Sequence, residues 1–263
     1  SRVYDNRSYE WASESERDSF IKTVGVKQRH VAEEGTTTSD LSYVAAKRLI
    51  DDLGWSPQEI NVLIFVSQSR DYFIPATAGI LQERLGLSKS CIAFDVSLGC
   101  SGYVYGLSII RSLMSQANIG KGLLLVGDVS TRNTSERDKS TYPLFGDAGT
   151  ATALEYNEGE RPMQFNLQTD GSGYEAIIIP DGGIRNFASK ERSFEYEDFG
   201  PGISRLRFHI ALNGVDVFHF SLREVAPNVR ALLEASGTEK EAIDYFIFHQ
   251  ANKLMTESIR KKM

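Results

Sequence analysis

Cysteine is scarce in this chain, with two in 263 residues, Cys91 and Cys100. That scarcity excludes a disulfide framework and an all-cysteine structural zinc site, and it favours a reduced, cytoplasmic setting. Long apolar runs are missing as well. The longest, such as 62–66 and 123–126, fall far short of the roughly 20 residues a membrane helix needs, so no membrane partner is expected. The N-terminus shows no signal-peptide core, being charged across 2–17. A basic tract is also lacking. Lys and Arg number 29 against 35 Asp and Glu, a net charge of -6 scattered along the chain, which excludes the electrostatic footprint of a nucleic-acid binder. Four histidines are present, and no metal-ligand spacing appears among them. What remains, 41% hydrophobic and 24% charged, is the composition of a soluble globular protein with one large domain or two of ordinary size.

Apolar runs alternate with helix-period segments, the pattern of an α/β fold. Apolar residues at 41, 44, 45, 49 and 53 predict a helix that Gly54 stops, and 60–66 reads as a buried strand. Pro75 opens a second helix, at a position where its missing N–H does no harm, and Gly86 closes it. Strand 91–96 follows. The Gly-rich stretch 99–106 then leads into a helix with Leu107, Ile110, Leu113 and Met114 on its apolar face, and 121–129 returns as a strand, completing a crossover unit. Polar, turn-forming 158–162 marks a boundary, giving domains 1–157 and 158–263. In the second, Val215, Phe218, Leu222, Val225, Val229 and Leu232 predict an amphipathic helix broken into two pieces at Pro227. Then come a buried strand at 243–248 and a helix from Asn252 onward. Strand, turn and helix thus meet at both Cys100 and His249, so the two halves read as variants of one unit.

The stretch Asp95-Val-Ser-Leu-Gly-Cys-Ser-Gly102 puts a thiol where a strand feeds a helix. A cysteine at a helix N-terminus lies by unpaired N–H groups and the positive end of the dipole, which favour thiolate. Gly99 and Gly102 permit a tight turn and close approach of a substrate. The competing reading of Cys100 is a small buried hydrophobe, the reading that suits Cys91 inside its strand. His249 would stand at the C-terminal edge of the sheet, where open α/β sheets bind ligands, and a neutral imidazole there can donate to a developing oxyanion or assist proton transfer. Asn252 is either an N-cap or a further hydrogen-bonding group. His30, His209 and His219 read as structural. Phe145-Gly-Asp-Ala-Gly149 lacks the Lys of a phosphate loop and reads as a turn at the floor of the site.

Taken together, Gly25-Val-Lys-Gln-Arg-His30, Asp71-Tyr-Phe-Ile-Pro-Ala-Thr77, Asp95 to Gly102, Phe145 to Gly149 and His249-Gln-Ala-Asn252 occur in an order and spacing that resemble the thiolase superfamily, and within it beta-ketoacyl-[acyl-carrier-protein] synthase III. The resemblance spans essentially the whole chain. It implies a thiolase-like α/β fold of two related βαβαβαββ halves in a layered α/β/α/β/α arrangement, with the nucleophilic Cys in 1–157 and the active-site His in 158–263. Cys100 matches the acyl-accepting nucleophile and His249 the histidine of a Cys-His-Asn triad. Phe73, Ile74, Gly99, Lys139 and Asn252 fall at positions expected to meet substrate, with Ile74 at an acyl pocket reached across a homodimer interface. The implied reaction is acyl transfer from acyl-coenzyme A to Cys100 and decarboxylative condensation with malonyl-acyl-carrier protein, with no metal and no further cofactor, in cytoplasmic fatty acid biosynthesis. Rivals are a non-decarboxylating acyltransferase of a specialised lipid, polysaccharide or natural-product pathway, and a noncatalytic carrier-binding homologue.

The resemblance also marks departures. The adenine-stacking tryptophan of the family falls at Ser19, its following arginine at Thr23, another coenzyme-contacting arginine at Lys139, and the arginine of the carrier-docking helix at Leu254. A weaker grip on coenzyme A and a preference for a carrier-bound acyl donor follow as expectations. In the family a strand precedes the position of Ser1, and segments beyond that of Met263 carry the second active-site asparagine. The expectation is therefore a longer protein or a variant without the full triad, because Asn252 matches a different asparagine.

Overall fold

In a computed structural model the described residues are 1–116 and 119–263. In chain order the elements begin β1 (Arg2–Asp5), α1 (Glu14–Val24), β2 (Gln28–Val31), α2 (Thr38–Leu53), β3 (Val62–Val66), α3 (Thr77–Arg84), β4 (Ile92–Val96), α4 (Gly102–Met114), β5 (Lys121–Val129) and β6 (Asp147–Glu155). They continue with β7 (Ile177–Ile178), α5 (Lys190–Ser193), β8 (Glu197–Asp198), β9 (Ser204–Arg205), β10 (Ala211–Leu212), α6 (Gly214–Ser236) and α7 (Lys253–Arg260). The chain separates into two compact units, one of Ser1, Ala32–Val129 and Asp147–Met163, the other of Arg2–Val31, Ser130–Gly146 and Gln164–Met263.

The first unit is built on a four-stranded sheet of order β4-β3-β5-β6. β3 runs parallel to both β4 and β5, and β6 returns antiparallel to β5. All five residues of β3 are buried, the unbroken apolar run expected of a strand covered on both faces. Its alternation still sorts them. Leu63 and Phe65 join Ala46 and Ile50 of α2 and Ala78 and Leu81 of α3 on one face, while Val62, Ile64 and Val66 join Ile110 and Met114 of α4 on the other. Burying each large apolar side chain of this kind stabilises the fold by about 1.5–3 kcal/mol. Capping explains where α2 stops and starts. The Thr37 hydroxyl accepts from the Asp40 N–H, the Asp40 carboxylate accepts from the Thr37 N–H, and Gly54 ends the helix at φ 63°.

Four expectations for helices and turns need correction. The predicted helix at 41–53 begins a turn earlier, at Thr38, because the capping box lies upstream of the apolar stripe. Pro75 does not occupy the first turn of α3. Ala76 is its N-cap and has no side-chain acceptor, so the acceptor comes from another strand: Asp95 of β4 takes the Thr77 N–H at 2.8 Å and the Ala78 N–H at 2.7 Å. Pro227 does not break α6, which runs continuously from Gly214 to Ser236. A proline removes one internal donor, and this 23-residue helix, capped by Asn213 and Gly237, retains the rest. Phe145-Gly-Asp-Ala-Gly149 is not a turn: the turn lies just before it, at 141–144, and its last three residues are strand. Asp147 opens β6, buried and accepting from the Ala32 N–H at 2.8 Å, and a Cβ on Gly149 would lie 2.5 Å from the Ser42 nitrogen of α2.

Two strand expectations also change. Cys91 lies just before β4. The expected strand 243–248 is not formed by the described residues: Tyr245 and Ile247 are 83% and 91% exposed, and an extended apolar segment becomes a strand only when a neighbour takes its backbone hydrogen bonds.

The second unit has a different interior. β1 and β2 pair antiparallel, and the buried Arg29 of β2 donates to Asn6 Oδ1 at 3.0 Å and to the Phe145 carbonyl at 2.6 Å. Its guanidinium lies 4.8 and 4.7 Å from the ring centroids of Tyr4 and Tyr142. Asp181 is buried too. Burial alone would raise its pKa, but the Ser193 hydroxyl and the guanidinium groups of Arg192 and Arg207 outweigh it and hold the carboxyl below its usual value.

Candidate active site

Cys100 sits between β4 and α4, one residue ahead of the N-cap Ser101, and is exposed. The turn is closed by the Gly102 N–H donating to the Gly99 carbonyl at 2.8 Å. Two glycines one helical turn apart bring α4 against the sheet. A Cβ on Gly102 would stand 2.4 Å from Val66 Cγ1, and one on Gly106 would stand 2.4 Å from Leu124 Cδ1. Only glycine allows this approach, which sets the start of α4 at the C-terminal ends of β3 and β4. Ser101 makes no side-chain capping bond, so α4 points its first-turn dipole toward Cys100 without a hydroxyl cap between them.

Cys91 is its counterexample. It is half-buried, and burial pushes its thiol up to about 11. A thiol so shifted is almost wholly protonated near neutrality and is a poor nucleophile.

The segment carrying Phe73 and Ile74 hangs from the start of α3. Phe73 is 63% and Ile74 86% exposed, and Tyr72 beside them is also exposed. Below them the Ser39 hydroxyl donates to Asp71 Oδ2 at 2.6 Å. Asp95 thus serves two neighbours of the site, capping the helix below this segment and belonging to the strand that leads to Cys100. The sequence reading missed that role. The available signal was Ala76, an N-cap that cannot cap.

His249, Asn252 and Lys139 belong to the second unit. His249 is exposed, four residues before α7, and Asn252 is the N-cap of that helix, its Oδ1 accepting from the Met255 N–H at 2.8 Å. Leu254, on the first turn of α7, is 49% exposed. Lys139 is engaged. Its ammonium donates to Glu16 Oε1 at 2.7 Å, and that bond, with those of Ser13, pulls the Glu16 carboxyl down to about 2. Ser19 and Thr23 are exposed on α1, whose N-terminal capping box is made by Ser13 and the same Glu16. His209 accepts the Leu206 N–H on Nδ1 at 3.0 Å, and burial lowers its pKa, so its imidazole is neutral and structural.

Among the described residues, no group of three His, Cys, Asp or Glu side chains could hold a metal ion, and no helix is long and apolar enough to cross a membrane.

Comparison with known proteins gives these side chains a context. The family model described as 3-Oxoacyl-[acyl-carrier-protein (ACP)] synthase III matches residues 94–171, the stretch that holds Cys100. Over its full length the chain is 31% identical to the beta-ketoacyl-[acyl-carrier-protein] synthase III of Syntrophomonas wolfei subsp. wolfei, covering 76% of that protein. A crystal structure of a 3-oxoacyl-(acyl-carrier-protein) synthase III superposes on the whole chain with a TM-score of 0.94 at 34% identity, with 79% of its own length covered. The 3-oxoacyl-(acyl-carrier protein) synthase of Burkholderia xenovorans LB400 gives a TM-score of 0.88 at 35% identity over the whole chain and 73% of its own length.

Proposed function

The chain belongs to the beta-ketoacyl-[acyl-carrier-protein] synthase III family of condensing acyltransferases, with a thiolase-like fold, and from that membership we propose that Cys100 is its acyl-accepting nucleophile. The observation that carries the assignment is the turn 99–101, which presents an exposed thiol at the start of a helix that Gly102 and Gly106 press onto the sheet. The Cys100 thiolate attacks the carbonyl of an acyl thioester, and the tetrahedral intermediate collapses as the donor's thiol leaves. A backbone N–H at Cys100 serves the oxyanion of that step. Malonyl-acyl-carrier protein then loses carbon dioxide to give a thioester enolate, whose carbon attacks the acyl-cysteine and releases a 3-oxoacyl product with the thiolate restored. His249 donates a hydrogen bond to the enolate oxygen, a contribution worth about 3 kcal/mol for one well-placed donor. No metal or further cofactor enters this chemistry.

The nucleophile falls in the half 1–157 and the histidine in the half 158–263. Phe73 and Ile74, exposed on their loop, meet the acyl chain across the interface of a homodimer, Gly99 leaves room for the thioester, and Asn252 orients the segment that carries His249. The setting is the cytoplasm. Lys139 is read as a substrate contact, but its ammonium is already paired with Glu16, and Ser19 and Thr23 offer no aromatic face or guanidinium. A carrier-bound acyl group is therefore preferred over acyl-coenzyme A as donor.

The test compares the half-reactions. Acyl transfer to the protein from acyl-coenzyme A and from the matching acyl-acyl-carrier protein is followed by mass spectrometry, and malonyl decarboxylation by carbon dioxide release. His249→Ala is expected to slow decarboxylation about 100-fold while acylation changes little. Equal losses in both steps would remove His249 from the enolate, and a strong preference for the coenzyme thioester would refute the donor reading.

A further inference from the structure

The residues that follow β3 are held more firmly than an exposed turn requires. Asp128 of β5 offers one carboxylate oxygen, Oδ1, to four donors: the Ser67 hydroxyl at 2.9 Å, the Gln68 N–H at 2.7 Å, and the Ser69 N–H and hydroxyl, each at 2.9 Å. The Ser67 N–H also donates to the Val96 carbonyl at 3.2 Å, and Ser69 Oγ accepts the Val129 N–H at 2.9 Å. Three consecutive residues are thus fixed to the two neighbouring strands. The middle one, Gln68, is exposed.

Its side chain is placed as well. A Cβ built on Gly99 would stand 2.5 Å from Gln68 Oε1, 3.2 Å from its Cδ and 3.8 Å from its Nε2. The carboxamide therefore lies on the backbone of the residue before Cys100, and the missing side chain of Gly99 is what admits it. An exposed glutamine on a free loop samples many rotamers. Here the backbone of the side chain is locked from below and its head group rests against the turn of the thiol, the arrangement of a supporting group behind a functional one. A carboxamide is also the right chemistry for that place, because it brings a donor and an acceptor without the negative charge that would disfavour a neighbouring thiolate.

Resting on the reading of Cys100 as acyl acceptor, we infer that Gln68 is a positioning residue for Cys100, bracing the turn 99–100 and keeping the surroundings of the thiol neutral. Two variants test this in the intact protein. Gln68→Glu keeps the length of the side chain and adds a charge, so the pH midpoint for iodoacetamide alkylation of Cys100 is expected to rise by about 0.5–1 pH unit. Gln68→Ala is expected to leave the thermal midpoint in place and to slow acylation of Cys100 several-fold, because it removes the brace without touching the backbone grip of Asp128. An unmoved alkylation midpoint in Gln68→Glu overturns the proposal, as does the parental acylation rate in Gln68→Ala. Iodoacetamide reads the thiol whether or not it accepts acyl groups. Absence of an acyl adduct at Cys100 in the parent protein would therefore refute the acyl-acceptor reading separately, while the alkylation profile still decides the placement of Gln68.

Discussion

Replacing Asp95 by alanine should destabilise the protein far more than its place near a strand end suggests. The carboxylate caps α3 from β4, taking the Thr77 N–H at 2.8 Å on one oxygen and the Ala78 N–H at 2.7 Å on the other. Thr77 and Ala78 are fully buried, and Ala76 offers no side-chain acceptor, so water and local rearrangement are poor substitutes. Each buried N–H left without a partner costs about 1–3 kcal/mol, and the lost charge at the N-terminus of the helix adds about 0.3–1 kcal/mol. With partial relaxation we expect Asp95→Ala to cost about 2–4 kcal/mol, against about 1–2 kcal/mol for Asp95→Asn, which keeps one acceptor. Urea unfolding measures this as a fall in the midpoint at unchanged slope, and hydrogen exchange should show α3 opening first. The same loss should loosen the loop of Phe73 and Ile74, which leads into this end of α3. An Asp95→Ala protein within 0.5 kcal/mol of the parent would show that the two bonds contribute nothing net, contrary to the geometry.

Three further outcomes follow from the same structure. Gly102→Ala should destabilise by about 1–3 kcal/mol and slow Cys100 acylation, because its Cβ would meet Val66 Cγ1 at 2.4 Å and Leu98 Cβ at 3.2 Å, and a β-branched strand residue cannot swing aside; denaturation and acylation rate check it. At pH 7.5 a thiol raised from 9.0 to about 11 is thiolate about 100-fold less often, so Cys91 should be alkylated about two orders of magnitude more slowly than Cys100, as peptide mapping of a time course will show. Glu16, whose pKa is lowered to about 2, contributes its pairing with Lys139 fully above pH 4.5 and loses it as pH falls toward 2; Lys139→Ala should move the Glu16 titration, followed by carboxyl NMR, back toward 4.5.

What could be read in advance was what depends on neighbours along the chain. The run 62–66 is a strand that is apolar along its whole length, 121–129 is a strand around its apolar centre at 123–126, and Gly54 ends a helix because it takes a left-handed φ of 63°. The strand–turn–helix around Cys100 was legible for the same reason. Features set by distant partners were not. Asp95 caps a helix whose first residue lies 18 positions upstream, Lys139 finds Glu16 across 123 positions, and Asp128 grips Ser67, Gln68 and Ser69 from about 60 positions away. Apolar 243–248 shows the converse, since its pattern suits a strand but no described strand hydrogen-bonds to it. Pro227 adds a third lesson, that a local penalty of one donor does not end a helix capped at both ends.

Whether Cys100 accepts the acyl group is decided by intact mass spectrometry after incubation with acyl-acyl-carrier protein and with acyl-coenzyme A. The expected result is a mass increase of one acyl group, mapped to the peptide holding Cys100, removed by hydroxylamine, absent in Cys100→Ala and retained in Cys91→Ala. An adduct that survives Cys100→Ala, or no adduct from either donor on the folded protein, would contradict it.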